Sequence, residues 1–237
     1  MIKAVLFDLD GTLLPIDTDE FLQQYMAALG KKVSHIMDTE DFIKQLLEST
    51  MEMIMDDNME HKNHEVFWKH FTDKLGEKTV ELTPLIEDFY HRDFPKLGEG
   101  IQPRRIAAEL IEVVKNKKLK LVLATNAVFP RTAIEERIRW ASIDPGDFDL
   151  ITTYENMHYC KPHLGYYREI ANKIHVQPQH CLMVGNDIKE DMIAGELGMK
   201  TFLLEDYIIG SIDDKEGAKY IHHRGNLNQL HSHLKNI

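Results

Sequence analysis

Seven residues at four places carry the side chains that could do chemistry. They are Asp8 and Asp10 in VLFDLDGTLL, Thr125 and Asn126 in LVLATN, Lys161 in YCKPH, and Asp187 and Asp191 in MVGNDIKED. Carboxylates gathered at one place repel: two unit charges ~4 Å apart cost about 1 kcal/mol in water and about 4 kcal/mol at an effective dielectric of 20. Such a group needs a shared proton or a cation. Hard oxygen ligands suit Mg2+, which keeps several waters and sits against phosphate. Lys161 adds a fixed positive charge, and Thr125 and Asn126 add neutral donors for phosphate oxygens. The chemistry this set suits is phosphoryl transfer. An aspartate that attacks phosphorus divides a hydrolysis into two displacements through an aspartyl phosphate.

These residues can meet only if the chain brings them to one edge. From Ile2 to Phe7 only Lys3 is polar, as expected of a strand buried on both faces of a parallel sheet. Gly11 follows Asp10 and ends it. Beyond Pro103, Ile106, Leu110, Val113 and Val114 recur at helical spacing before LKLVLATN, which reads as a second strand. FDLITTY follows a helix through Ile134 and Ile138, and HCLMVGND follows one carrying Ile170 and Ile174. KTFLLED follows a helix with Met192, Ile193 and Leu197, capped by Gly198. Strand and helix alternate, which predicts a doubly wound, Rossmann-like α/β sheet. Right-handed crossovers then put every strand's C-terminal end on one edge, where all seven residues fall.

The first crossover is too long. About 85 residues separate the first strand from the helix at Pro103, where about a dozen suffice. Within them Phe21, Tyr25 and Leu29, then Phe42 and Leu46, then Phe67 and Phe71, then Leu85 and Phe89 recur at helical intervals. The expectation is a core of residues 1–14 and 100–237 with an all-helical domain, 15–99, inserted. Methionines 51, 53, 55 and 59 are expected in that domain's interior. For Tyr25, His35 and Trp68, core or surface positions are expected in preference to a substrate-facing one.

Composition narrows the partners. In 237 residues, 39 acidic and 28 basic side chains give a net charge of -11, which opposes binding to nucleic acid or to an anionic membrane surface. No apolar run approaches the ~20 residues of a membrane span, and the N-terminus does not read as a signal peptide. The cytoplasm is the expected location. Cys160 and Cys181 are too few for a disulfide framework and read as structural thiols. The thirteen histidines show no paired zinc-ligand spacing, and His222 and His223 read as surface residues. Monomer and dimer both stay open.

The ordered set DLDGT, TN after a strand, KP, then GNDIKED resembles the haloacid dehalogenase superfamily, and the resemblance covers the whole core. It implies a Mg2+-dependent phosphatase acting on a small phosphorylated metabolite, with a helical cap inserted between the first and second motifs. By that resemblance Asp8 is the nucleophile, and Asp10 is the acid and base whose backbone carbonyl also touches the metal. Thr125 binds the transferred phosphoryl group with Asn126 beside it, Lys161 neutralises it, and Asp187 ligates the metal. Asp191 is a further ligand or holds a metal-bound water. The Asp10 role has a physical reason, because a carboxylate not bound to the metal stays free to move a proton.

Neighbouring chemistries compete. Dehalogenases of the superfamily lack the second aspartate, so Asp10 argues against them. A phosphonate hydrolase would need a cap lysine for a Schiff base, for which Lys31, Lys32, Lys44, Lys62 and Lys69 are candidates. A phosphosugar mutase shares all four motifs. From another class, a protein could accept phosphate on aspartate for signalling without turnover, as receiver domains do, but those lack a large insertion after the first strand. A catalytically retired member serving as a structural partner is a further alternative, against which the complete set of catalytic residue types speaks.

Overall fold

The computed structural model describes residues 1–213 and 217–237. Six parallel strands form one sheet: β1 (Ala4–Phe7), β2 (Lys120–Leu123), β3 (Leu150–Ile151), β4 (Cys181–Gly185), β5 (Lys200–Leu204) and β6 (His223–Gly225). Their spatial order is β3-β2-β1-β4-β5-β6, so the winding reverses between β1 and β4. In open α/β sheets ligands bind at such a reversal, beyond the carboxyl ends of the strands. β1 pairs with β2 through Phe7 and Leu123 and with β4 through Phe7 and Val184, which brings three strand ends level.

The apolar run of β1 is explained by its place. Ala4, Val5, Leu6 and Phe7 are all fully buried, and alternate side chains enter different layers. Val5 and Phe7 pack with α5 (Arg105–Asn116) and α8 (Leu227–Asn236) through Leu110, Val114 and Leu230. Ala4 and Leu6 pack with α7 (Leu164–Lys173) through Tyr166 and Ile170. Helix α6 (Arg131–Trp140) follows β2. Cys160 and Cys181 are both buried and unpaired, and burial raises the pKa of both thiols, that of Cys181 to about 11.

Between β1 and α5 lie four helices: α1 (Thr18–Val33), α2 (Thr39–Met55), α3 (Asn63–Leu75) and α4 (Lys78–Arg92). Asp17 caps α1 by accepting from the Glu20 amide, and Asp38 caps α2 by accepting from Glu40 and Asp41. At the start of α3 the insert is tied to the sheet layer. Asn63 is buried, its side chain donates to the Ala127 carbonyl at 3.1 Å, and its amide donates to Met157 at 2.9 Å.

Several sequence expectations need correction. Of the four methionines only Met53 is buried, while Met51, Met55 and Met59 are exposed. The reason is helical phase: the inward face of α2 is Phe42, Leu46, Ser49 and Met53, and Met51 and Met55 fall on the other side. The stretch FDLITTY keeps only two residues in β3, and Met192–Leu197 is a 3-10 turn rather than an α-helix. Gly198 does end it, in a left-handed conformation at φ 84°. The segment after KTFLLED carries β6 and α8, neither of which the sequence pattern announced.

Candidate active site

Asp8 is the first residue past β1, and its amide donates to the Val184 carbonyl of β4 at 2.9 Å, so the reversal of the sheet fixes its backbone. Gly11 then turns the chain at φ 72°, where any Cβ would lie 2.4 Å from the Asn186 side chain. The Asp8 carboxylate is held at both oxygens. Lys161 Nζ stands 2.8 Å from Oδ1, and the Thr12 hydroxyl lies 3.2 Å from Oδ2 and 3.1 Å from Asn186 Oδ1.

Lys161 is buried and bridges two carboxylates, with Asp191 Oδ1 at 2.6 Å. Burial alone would lower its pKa, but the charges of Asp191 and Asp8 more than offset this and hold it well above the ordinary lysine value. Lys161 is therefore a fixed cation. Burial also pushes the Asp191 carboxyl up, against the pull of Lys161. The Asp191 carboxylate is engaged at both oxygens, Oδ2 accepting from the Asp187 amide at 3.0 Å. Gly185 makes room for this carboxylate, which lies 2.0 Å from where a Cβ would stand.

Asp187 is half-buried, and its Oδ1 accepts from the amides of Lys189 and Glu190 at 2.7 and 2.8 Å. It caps the turn that follows β4. Thr125 is buried past the end of β2, its carbonyl held by Thr152 and Tyr166 hydroxyls, each at 2.7 Å. Asn126 accepts from the Lys161 amide at 3.1 Å and donates toward the Glu190 carboxylate at 3.3 Å. It ties the β2 end to the lysine loop.

Asp10 has a partner the sequence did not reveal. Arg137 of α6 is buried, and its Nη1 lies 2.5 Å from Asp10 Oδ2. Its guanidinium also covers the rings of Phe129, 4.5 Å away, and Phe21, 5.4 Å away. Burial raises the Asp10 pKa and Arg137 only partly counters it. Among the described residues Asp10 Oδ1 is buried with no hydrogen-bond partner. The signal for Arg137 was its phase: it shares a helical face with Ala133, Ile134 and Ile138, although its other neighbours in sequence are charged.

The structure thus brings all seven sequence-predicted residues to one end of the sheet, where Asp8, Asp10, Thr125, Asn126, Asp187 and Asp191 line a cavity of about 600 Å³. Lys161 joins them through Asp8 and Asp191. Thr12, Asn186 and Glu190 were missed. The Glu190 carboxyl also lines this cavity, and burial pushes its pKa up to about 7. A second cavity of about 310 Å³ opens on Asp10, Thr125, Asn126 and Glu190 from the side of the insert, with Tyr25 and Trp68 on its wall. Tyr25 is buried in the core and Trp68 packs against it, as expected, while both also line this cavity; His35 is exposed.

Among the described residues no three carboxylate, imidazole or thiol side chains close into a metal cage. Mg2+ does not require one, since it binds through one or two carboxylates and keeps waters. The all-oxygen donors of Asp8 and Asp187 at the 600 Å³ cavity fit that requirement.

Residues 2–198 match the haloacid dehalogenase-like hydrolase family. The chain belongs to that family. A pyrophosphatase PpaX from Bacillus mycoides (strain KBAB4) is 25% identical over 202 residues, which cover 84% of this chain and 82% of the relative. Two solved structures share the fold. A HAD phosphatase from Thermococcus onnurineus has a TM-score of 0.58 at 20% identity, covering 98% of each chain. A beta-phosphoglucomutase from Clostridium difficile has a TM-score of 0.58 at 20% identity, covering 100% of this chain and 98% of that one. Among the described residues no helix is long and apolar enough to cross a membrane.

Proposed function

We propose that this hydrolase removes phosphate from a small phosphorylated metabolite through an aspartyl phosphate on Asp8, with residues 15–99 acting as a cap over the leaving group. The observation that carries the reading is the placement of Asp10. Its carboxyl lines both cavities, with Oδ2 held by Arg137 and the buried Oδ1 without a hydrogen-bond partner among the described residues. An acid poised between a phosphate site and a leaving-group site has a job in each half of the reaction.

In the first half an Asp8 oxygen attacks phosphorus, the bond from phosphorus to the leaving oxygen breaks, and Asp10 gives that oxygen a proton. In the second half Asp10 takes a proton from water, the water oxygen attacks phosphorus, and the Asp8–phosphorus bond breaks to release inorganic phosphate. Lys161 neutralises the phosphoryl oxygens, and Thr125 and Asn126 orient them. The carboxylates of Asp8 and Asp187 and the backbone carbonyl of Asp10 would hold Mg2+, which supplies further charge neutralisation when bound. Asp191, with both oxygens engaged, supports this set by holding Lys161 and the Asp187 backbone.

A Schiff-base phosphonate hydrolase draws no support from the insert lysines. None of the five lines either cavity wall, and Lys32 is paired with Asp88 and Asp93.

Phosphate release from a panel of phosphate esters, with Mg2+ and with chelator, tests the reading. Release is expected only with the metal, abolished in Asp8→Asn and strongly slowed in Asp10→Asn with substrate binding kept. Activity that survives Asp8→Asn or chelation overturns the mechanism.

A further inference from the structure

The 310 Å³ cavity lies on the leaving-group side of Asp10, and its wall is aromatic: Phe21, Tyr25, Phe67, Trp68, Tyr90 and Tyr154. The polar atoms these rings carry are bonded to one another. The hydroxyls of Tyr25 and Tyr90 lie 2.8 Å apart, and Trp68 Nε1 donates to the Tyr154 hydroxyl at 3.4 Å. Burial raises the Tyr25 and Tyr90 pKa values, that of Tyr25 to about 12, so both hydroxyls stay neutral at physiological pH. At the floor, the guanidinium of Arg137 is shared between Asp10 and the rings of Phe21 and Phe129.

We infer that the substrate is a phosphate monoester of an alcohol carrying one or two apolar rings, aromatic or alicyclic, with the ring seated in this cavity. The inference rests on the phosphatase reading above and adds the leaving group to it. Size agrees: an apolar protein cavity of ~150 Å³ accepts benzene, so twice that volume accommodates a substituted ring or a fused pair. Composition agrees as well, because ligand sites lined by aromatic side chains with few polar groups take apolar ligand surface. Among the described residues lining this cavity, the buried donors without a partner, Arg137 Nε and Nη2, lie at the floor beside Asp10. The hydroxyls and the indole N–H of the rings are already engaged with one another, so a sugar laid against them would leave water for groups that cannot replace its hydrogen bonds. That disfavours a phosphosugar as the substrate.

The test compares benzyl phosphate with ethyl phosphate, whose leaving alcohols are of similar basicity, so that the difference reports binding of the ring rather than intrinsic reactivity. Acetyl phosphate and inorganic pyrophosphate complete the panel. The expected result is a kcat/KM for benzyl phosphate at least about tenfold above those for ethyl phosphate and pyrophosphate. Ile54 also lines the cavity, and filling it by Ile54→Trp is expected to lower the ratio of benzyl to acetyl phosphate turnover by about tenfold or more. A readout without turnover uses Trp68, one of two tryptophans, the other being stacked on Phe94 outside this wall. Benzylphosphonate with magnesium is expected to change the fluorescence of the wild type and not of Trp68→Phe. Ethyl phosphate hydrolysed through Asp8 with a kcat/KM equal to that for benzyl phosphate overturns the ring inference and leaves the phosphatase standing. No hydrolysis of any ester overturns both.

Discussion

Two lysines in this molecule make nearly the same contacts. Lys161 lies 2.8 Å from Asp8 and 2.6 Å from Asp191, and Lys32, on α1, lies 2.6 Å from Asp88 and 2.8 Å from Asp93. What differs is the surroundings. The Lys161 and Asp191 side chains are each 1% exposed, whereas Lys32, Asp88 and Asp93 are 23%, 35% and 31% exposed. Charges in the buried cluster are screened little and have few other partners, so each holds the next at a defined place. Around Lys32, water and the neighbouring Arg92 and Lys96 share the load. Contact geometry therefore does not mark a site; burial at converging strand ends does.

The largest expected effects come from breaking the buried member of the pair. Lys161→Met leaves Asp8 and Asp191 facing each other with their shared cation gone. A fall in turnover of about 10²–10³-fold is expected, with a loss of about 3–5 kcal/mol in denaturant unfolding. Lys32→Met is expected to change turnover by less than about twofold and stability by under about 1 kcal/mol. Equal losses in the two variants would show that burial does not distinguish the clusters.

Next in size is the contrast between Asp187 and Asp191. Asp187 has one oxygen engaged by backbone amides, while Asp191 has both engaged. Asp187→Asn is expected to raise the magnesium concentration for half-maximal activity by about 10- to 100-fold, and Asp191→Asn by less while costing more stability. The reverse order would make Asp191 the metal ligand. Arg137→Met removes the guanidinium from Asp10 and from two rings, and is expected to lower kcat by about tenfold. Arg137→Lys should recover little, since an ammonium cannot lie flat across Phe129 while bonding Asp10.

Much of this site is legible in the sequence, because its residues sit at strand ends that announce themselves as apolar runs: Ala4–Phe7 before Asp8, Lys120–Leu123 before Thr125, Cys181–Gly185 before Asp187. The haloacid dehalogenase resemblance then supplied the roles. What escaped was whatever depends on packing between distant elements. Arg137 looks like one more charge in RTAIEERIRW until α6 is laid against Asp10. Tyr25 and Trp68 recur at helical spacing like any core residue, and only the juxtaposition of α1, α3 and the β2 loop turns them into a cavity wall. β6 reads as polar because its His223 and Arg224 lie exposed at the edge of the sheet.

The smallest effect is also the sharpest separation of the two clusters. Hydrogen bonds from Lys32 and then Lys96 hold the Asp93 carboxyl down to about 2, below its ordinary 3.8. A depressed carboxylate stabilises the fold above its unfolded pKa, and that contribution is lost as pH falls from about 4 toward 2. Asp93→Asn should flatten the fall of stability across that window by less than about 1 kcal/mol, measured by denaturant midpoints at stepped pH. Salt at 1 M, where the screening length is ~3 Å, should shrink the same contribution in the wild type. The Lys161 cluster lies out of reach of that screening, so the stability difference between wild type and Lys161→Met should persist in salt. If salt erased it, the buried cation would be more exposed than its surroundings imply, and the contrast between the two lysines would fail.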